Sequence, residues 1–212
     1  MSRSQPTNRT EQKQQTRQRI LDAAGRGFRK GGFGGIGVDG LAKEAGVTSG
    51  AFYVHFDSKA TAFRESVVKG MSDLKDGVRH FQTTYGKTWW PEFVRFYLGT
   101  KRTCTLAESC ALQSLPPEVA RSDASARGAF EAELLEVAAI VASGPPSVDA
   151  PETIEAAFTT LATLVGTVTL ARAVEDKSLS ERIAAAAQRV LLPSTLAKTK
   201  KSNAVTRRTK RG

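Results

Sequence analysis

Residues 38–59 read VDGLAKEAGVTSGAFYVHFDSK, and this stretch decides the fold. Val38, Leu41, Ala42 and Ala45 recur at helical spacing and Gly46 follows them, so a short helix ends where glycine can take the left-handed conformation. Thr48 then offers a side-chain oxygen to cap a second helix, on which Phe52 and Phe56 fall one turn apart on a buried side. Ser49, Gly50 and Ala51 leave only small side chains at its start. Two short helices about a tight turn form a helix-turn-helix at about residues 37–56. Its small leading residues would let the backbone approach base edges in a major groove. Tyr53 and His55 can then reach phosphates, and Lys59 with the positive N-terminus of the next helix can hold another.

Outward from this stretch the chain keeps the same periodicity. Ile20, Leu21, Ala24 and Phe28 stripe a first helix that stops at Gly31 and Gly32. From Ser58 a long helix carries Ala60, Phe63, Val67, Leu74, Val78 and Phe81 to about Thr84. Pro91 opens a helix with Phe93, Phe96 and Tyr97, a short one lies near 117–122, and another carries Phe130, Leu134, Val137 and Val141 until Gly144, Pro145 and Pro146 stop it. An apolar helix starts near Glu152, and a last one runs over 180–192, where Ser178 and Glu181 fit a capping box and Pro193 ends the run. No alternating strand pattern of useful length appears. The expected fold is all-α: a DNA-binding headpiece over 1–57, a larger helical effector-binding and dimerisation domain over 58–193, and a basic, disordered tail over 194–212.

The formal charge is +10, and the basic residues gather at the two ends. Arg3, Arg9, Lys13, Arg17, Arg19, Arg26, Arg29 and Lys30 lie in front; Lys198, Lys200, Lys201, Arg207, Arg208, Lys210 and Arg211 lie behind. A neutral body with cationic ends favours attraction to phosphates. The tail reads equally as a solvated end or as an auxiliary DNA contact.

Several sharper readings fail. Gly32, Gly34 and Gly37 spell a G-x-G-x-x-G with Asp57 near the offset of a ribose-binding acid, but the motif follows an amphipathic helix instead of a strand. His55 and His80 lack partners at metal-ligand spacing, and no G-x-S-x-G elbow appears, so no metal, cofactor or enzyme activity is expected. Cys104 and Cys110 read as two packed thiols or as a redox pair. The run 156–174 approaches membrane-spanning length, but its five threonines and Arg172 mark it as a buried helix. A polar start without an apolar core gives no secretory signal, and the expected compartment is the cytoplasm.

The stretch from Thr16, Arg17, Ile20, Leu21, Ala23, Ala24 and Phe28 through Gly32 and Phe33 to VDGLAKEAGVTSGAFYVHF, Ser58, Lys59 and Phe63 resembles the TetR family of bacterial regulators. The resemblance covers about the first third of the chain. It implies an Ω-shaped homodimer with its recognition helix at Thr48–His55, Thr48, Tyr53, His55 and Lys59 on the DNA backbone, and Ser49, Gly50 and Ala51 at the groove. A ligand-responsive repressor follows, with a double-stranded operator, a second copy and a small apolar effector as partners. Phe81, Phe93, Phe96, Tyr97 and Phe130 are candidate effector walls, being the large apolar residues on the helices near the long connecting helix. The small residues Ala157, Gly166, Ala171 and Ala187 are the candidate dimer contacts. Two departures stand out: Gly37 occupies the usual Ser or Thr cap of the second helix, and Gly40 within that helix should cost it about 1 kcal/mol against alanine. Ser49 supplies no long base-reading arm, which leaves some specificity to DNA shape.

Overall fold

The computed structural model describes residues 8–194, so Arg3 and the basic tail from 195 onward lie outside it. Ten α-helices and no β-strand occur among the described residues. They gather into two compact units, 8–71 with 106–131 and 72–105 with 132–194.

In the first unit α1 (Asn8–Gly31) buries Ile20, Ala23, Ala24 and Phe28 and ends at Gly32, whose φ of 71° places it in the left-handed region. Helices α2 (Val38–Ala45) and α3 (Ser49–His55) pack on it through Leu41, Ala42 and Phe52. Helix α4 (Lys59–Tyr85) follows, with Ser58 Oγ accepting from the Thr61 amide at 3.0 Å. Its buried face uses Ala62, Phe63, Val67, Met71 and Val78, and Ala60 is exposed. Phe28, Phe33 and Phe63 meet as edge-on and stacked rings, 5.2 to 6.0 Å between centroids. Two short helices, α6 (Ala111–Ser114) and α7 (Pro116–Ala120), and the segment before them complete this unit. Arg29 Nε donates to the Ala107 carbonyl at 2.9 Å, and Glu118 accepts from the Phe33 amide at 3.3 Å. Packing therefore does not break at residue 57, where the sequence pattern suggested a boundary. The start of α4 and residues 106–131 stay with the headpiece because they cover its apolar side.

In the second unit α5 (Trp89–Phe96) starts two residues before Pro91, which sits in the first turn where a missing amide hydrogen is harmless. A π-helical turn, Tyr97–Lys101, extends it. Helix α8 (Ala124–Ala142), opened by Asp123 accepting from the Ala126 amide at 2.8 Å, has residues in both units. In the second, Lys75 of α4 is buried between Glu133 and Glu136 at 2.9 and 2.5 Å. These two carboxylates hold the ammonium's pKa above its usual value.

Helices α9 (Ile154–Ala173) and α10 (Lys177–Leu191) pack on each other. Thr153 caps α9 by accepting from the Ala156 amide at 3.2 Å. Asp176 caps α10 by accepting from the Ser178 amide at 2.8 Å, so the expected Ser178–Glu181 box gives way to a carboxylate two residues earlier. By length and composition α9 could cross a membrane, with mean hydropathy 1.5. Its inner stripe of Ala157, Leu161, Leu164, Val168 and Ala171 is instead buried in the protein.

Candidate nucleic-acid interface

The turn between α2 and α3 is built by backbone geometry. Gly46 has φ 67° and ψ 38°, and its amide and that of Val47 satisfy the Lys43 and Ala42 carbonyls at 3.1 and 2.9 Å, which closes α2. Thr48 Oγ1 accepts from the Ala51 amide at 3.2 Å, so the expected cap forms and leaves the hydroxyl hydrogen of this exposed side chain able to donate outward. Gly37 caps α2 with no side-chain bond, as its residue type requires. Gly40 has a packing reason that the sequence did not reveal: a Cβ there would meet Ile36 Cγ1 at 3.0 Å.

Phe52 and Phe56 are buried with centroids 5.6 Å apart, and they fix which side of α3 faces outward. That outward side carries exposed Gly50, half-buried Ser49 and Ala51, and Tyr53 and Val54 at 56 and 68% exposure. Val54 is a surface residue that the sequence pattern passed over, and its signal was an apolar residue off the Phe52–Phe56 stripe. Ser49 Oγ donates to Asp39 Oδ1, so its hydroxyl already ties α3 to α2. Lys59 Nζ lies 4.5 Å from the centroid of the Phe33 ring, which steadies the ammonium at the N-terminus of α4.

His55 is half-buried at the end of α3, its Nδ1 enclosed without a hydrogen-bond partner. Burial, with Lys13 and Arg17 of α1 adding positive charge, holds its pKa below the usual 6.5. Arg17 stacks over Phe56 at 4.7 Å and pairs with Glu65, so it is largely spent on the headpiece's own packing. The face thus presents small side chains flanked by Tyr53, Lys59 and a neutral imidazole. Among the described residues no cluster of His, Cys, Asp and Glu could hold a metal ion.

The other expected sites separate. Phe81, Phe93, Phe96 and Tyr97 form one aromatic cluster in the second unit, with Phe81 5.6 Å from Phe93 and 5.2 Å from Phe96. Phe130, half-buried on α8, falls in the first unit. Ala157, Ala171 and Ala187 are buried within the chain itself, so these three cannot meet a second copy, whereas Gly166 is half-exposed. Small size marked them as close-packing positions without telling which neighbour they pack against. Cys104 and Cys110 are not bridged, and Arg172 Nη2 approaches Cys104 Sγ at 3.2 Å.

The fold and this face define an all-helical protein headed by a helix-turn-helix. Residues 20–65 match the family described as bacterial regulatory proteins, tetR family. The HTH-type transcriptional regulator AcrR of Shigella flexneri is 48% identical over 52 residues, which is 24% of each chain. This match therefore spans about a quarter of that relative's length. A TetR-family transcriptional regulator from Cytophaga hutchinsonii has the same fold, with TM-score 0.68 and 15% identity over 89% of this chain and 96% of that one. The reduced form of Escherichia coli NemR is similar at TM-score 0.64 and 19% identity, covering 81 and 94%.

Proposed function

We propose that this chain is a ligand-responsive transcriptional regulator, acting as a repressor, that binds an inverted-repeat DNA operator as a homodimer in the cytoplasm. The carrying observation is the capped helix α3, whose start bears only Ser49, Gly50 and Ala51 and whose exposed flank bears Tyr53, with Lys59 at the first position of α4. Thr48, Tyr53, His55 and Lys59 contact phosphates, and the three small residues admit the backbone to the groove. His55, being neutral, donates a hydrogen bond and not a full charge.

Homodimerisation uses outward stripes of the last two helices. Ala162, Gly166 and Leu170 repeat along α9, and Leu179, Ile183, Ala186 and Val190 along α10; Leu170 is 62% and Val190 72% exposed. An effector binds in the aromatic cluster of the second unit and releases DNA, with a coupling of about 1 to 3 kcal/mol typical of such systems.

The test begins with selecting genomic fragments on the purified protein, then measuring affinity by fluorescence anisotropy against salt. The Tyr53→Ala, Lys59→Ala double variant should bind at least about tenfold more weakly, and Lys59→Ala alone should flatten the salt slope by about one unit. Full affinity in the double variant refutes the docking.

A further inference from the structure

We propose that the indole N–H of Trp90 is the polar anchor of a ligand site for flat aromatic molecules that carry a hydrogen-bond acceptor, such as an aryl ketone or aryl amide. This rests on the effector reading above and names the ligand's chemistry.

The chain has two tryptophans, adjacent and fully buried, and they are treated differently. Trp89 Nε1 donates to the Pro145 carbonyl at 3.0 Å. The Trp90 backbone amide donates to Ser147 Oγ at 3.3 Å, but its indole Nε1–H is enclosed and meets no acceptor among the described residues. A phenylalanine would fill much of that space without burying a donor, and folded proteins leave few such donors unpaired. Indole N–H donates only, so the missing partner must be an acceptor.

A ladder of rings connects this donor to solvent. Phe93 stacks on Trp90 at 5.9 Å, Phe81 meets Phe93 edge-on at 5.6 Å, and Tyr85, 43% exposed, stacks on Phe81 at 5.3 Å. A flat aromatic guest can replace these ring contacts as it enters, which an aliphatic chain cannot. Immediately after α5 the backbone winds into the π-helical turn Tyr97–Lys101, a rare geometry concentrated at functional sites. The turn follows half-buried Phe96, over which Lys101 Nζ sits at 5.9 Å, and this segment gives way when the guest enters. The Lys101 ammonium thus lies over Phe96, and no cation stacks on Trp90 among the described residues, which favours a neutral acceptor over an anion.

The experiment uses the full chain labelled with nitrogen-15, titrated with 2-acetylnaphthalene and with its isostere 2-isopropylnaphthalene, which lacks the acceptor. The two indole resonances are assigned with Trp90→Phe. The ketone should move the Trp90 indole proton downfield, with Trp89 as internal control, and should bind about tenfold tighter than the hydrocarbon. Trp90→Phe should erase that preference while both compounds still bind. Should that variant fail to fold, the wild-type resonance and the preference between the two compounds decide alone. Equal binding of the pair, an unmoved Trp90 resonance, or no binding of either compound overturns the proposal. An effector that releases DNA without moving the Trp90 resonance overturns this anchor and leaves the effector reading standing. Ketone bound at Trp90 with unchanged operator affinity supports the anchor and defeats the effector reading.

Discussion

The two compact units use their glycines differently. In the first, three glycines stand where a side chain does not fit: a Cβ would lie 2.8 Å from Ile36 Cδ1 at Gly27, 2.5 Å from Ala111 Cβ at Gly70, and against the Gly31 carbonyl oxygen at Gly35, while Gly31, Gly34, Gly37 and Gly128 have open space beside them. In the second, Cβ atoms at Gly77 and Gly166 would meet nothing within 4 Å, and Gly144, against Gln82 and Trp89, is the crowded exception. The headpiece is thus fixed largely by close backbone approach at named positions, whereas the body is fixed by filling volume with aromatic and aliphatic side chains. Few residues satisfy the first kind of constraint, and many combinations satisfy the second.

The sharpest way to break that contrast is a matched pair of alanines. Gly35→Ala forces a Cβ into a backbone oxygen that cannot swing aside, and it should destabilise the headpiece by about 3 kcal/mol or more. Gly77→Ala, in the middle of α4 with open space beside it, should stabilise by up to about 1 kcal/mol. Urea unfolding followed by circular dichroism measures both, and similar losses for the two variants would show that the contrast is false.

Charge separates the body in a second way. Lys75 is buried and its partner Glu133 retains only 14% side-chain exposure, so Lys75→Met should strand that carboxylate and lower stability by about 1 to 3 kcal/mol. Glu133→Gln in the same chain should restore part of the loss. Lys75 also lowers the pKa of Glu136 below 4.5, so this contribution is present above that pH and is lost as acid protonates the carboxylate. Unchanged unfolding in Lys75→Met would mean that volume alone holds this part of the body.

What the sequence disclosed follows the same division. Gly46, Thr48, Phe52 and Phe56 each have one geometric task, and the structure puts each where its residue type requires. The order of the longer body helices was also legible, because apolar periodicity encodes it, whereas the four-residue α6 (Ala111–Ser114) is too short to show a period. Which neighbour a small residue meets was not: Ala157, Ala171 and Ala187 read as surface contacts and are buried inside the chain. Burial by the chain's own helices and burial by a second copy leave the same pattern of small residues. Glu118 reaching the Phe33 amide, 85 positions away, has no local signature either. Nor does periodicity reveal which of two adjacent tryptophans keeps an unpaired N–H.

Gly166 tests the outward stripe proposed for dimerisation. A Cβ there is free within one chain, so Gly166→Ala should raise the stability of α9 by about 0.5 to 1 kcal/mol when the protein is dilute. If α9 meets a second copy at this position, the same methyl should hold the helices apart and weaken the dimer, as read by sedimentation across a concentration series. Stabilisation without any change in self-association would remove Gly166 from the interface.

The smallest expected effect returns to the headpiece and concerns His55. Burial first, and then Lys13 and Arg17, keep its pKa below 6.5 in the folded protein, so the unfolded chain binds more protons as the pH falls past that value. Stability of the DNA-free headpiece should therefore be complete above about pH 6.5 and decline as the pH drops toward the folded pKa. A DNA phosphate beside the ring would favour the imidazolium and raise the pKa, so binding should take up a proton and tighten with acidification over the same range. For a single proton the change is less than about tenfold per pH unit. Stability and DNA affinity thus slope in opposite directions from one cause, and His55→Gln should flatten both, while Lys13→Ala should weaken only the electrostatic part of the first. Flattening of the stability slope alone would place His55 away from the phosphates. If neither slope responds, another group is titrating and the imidazole has no part in the contact.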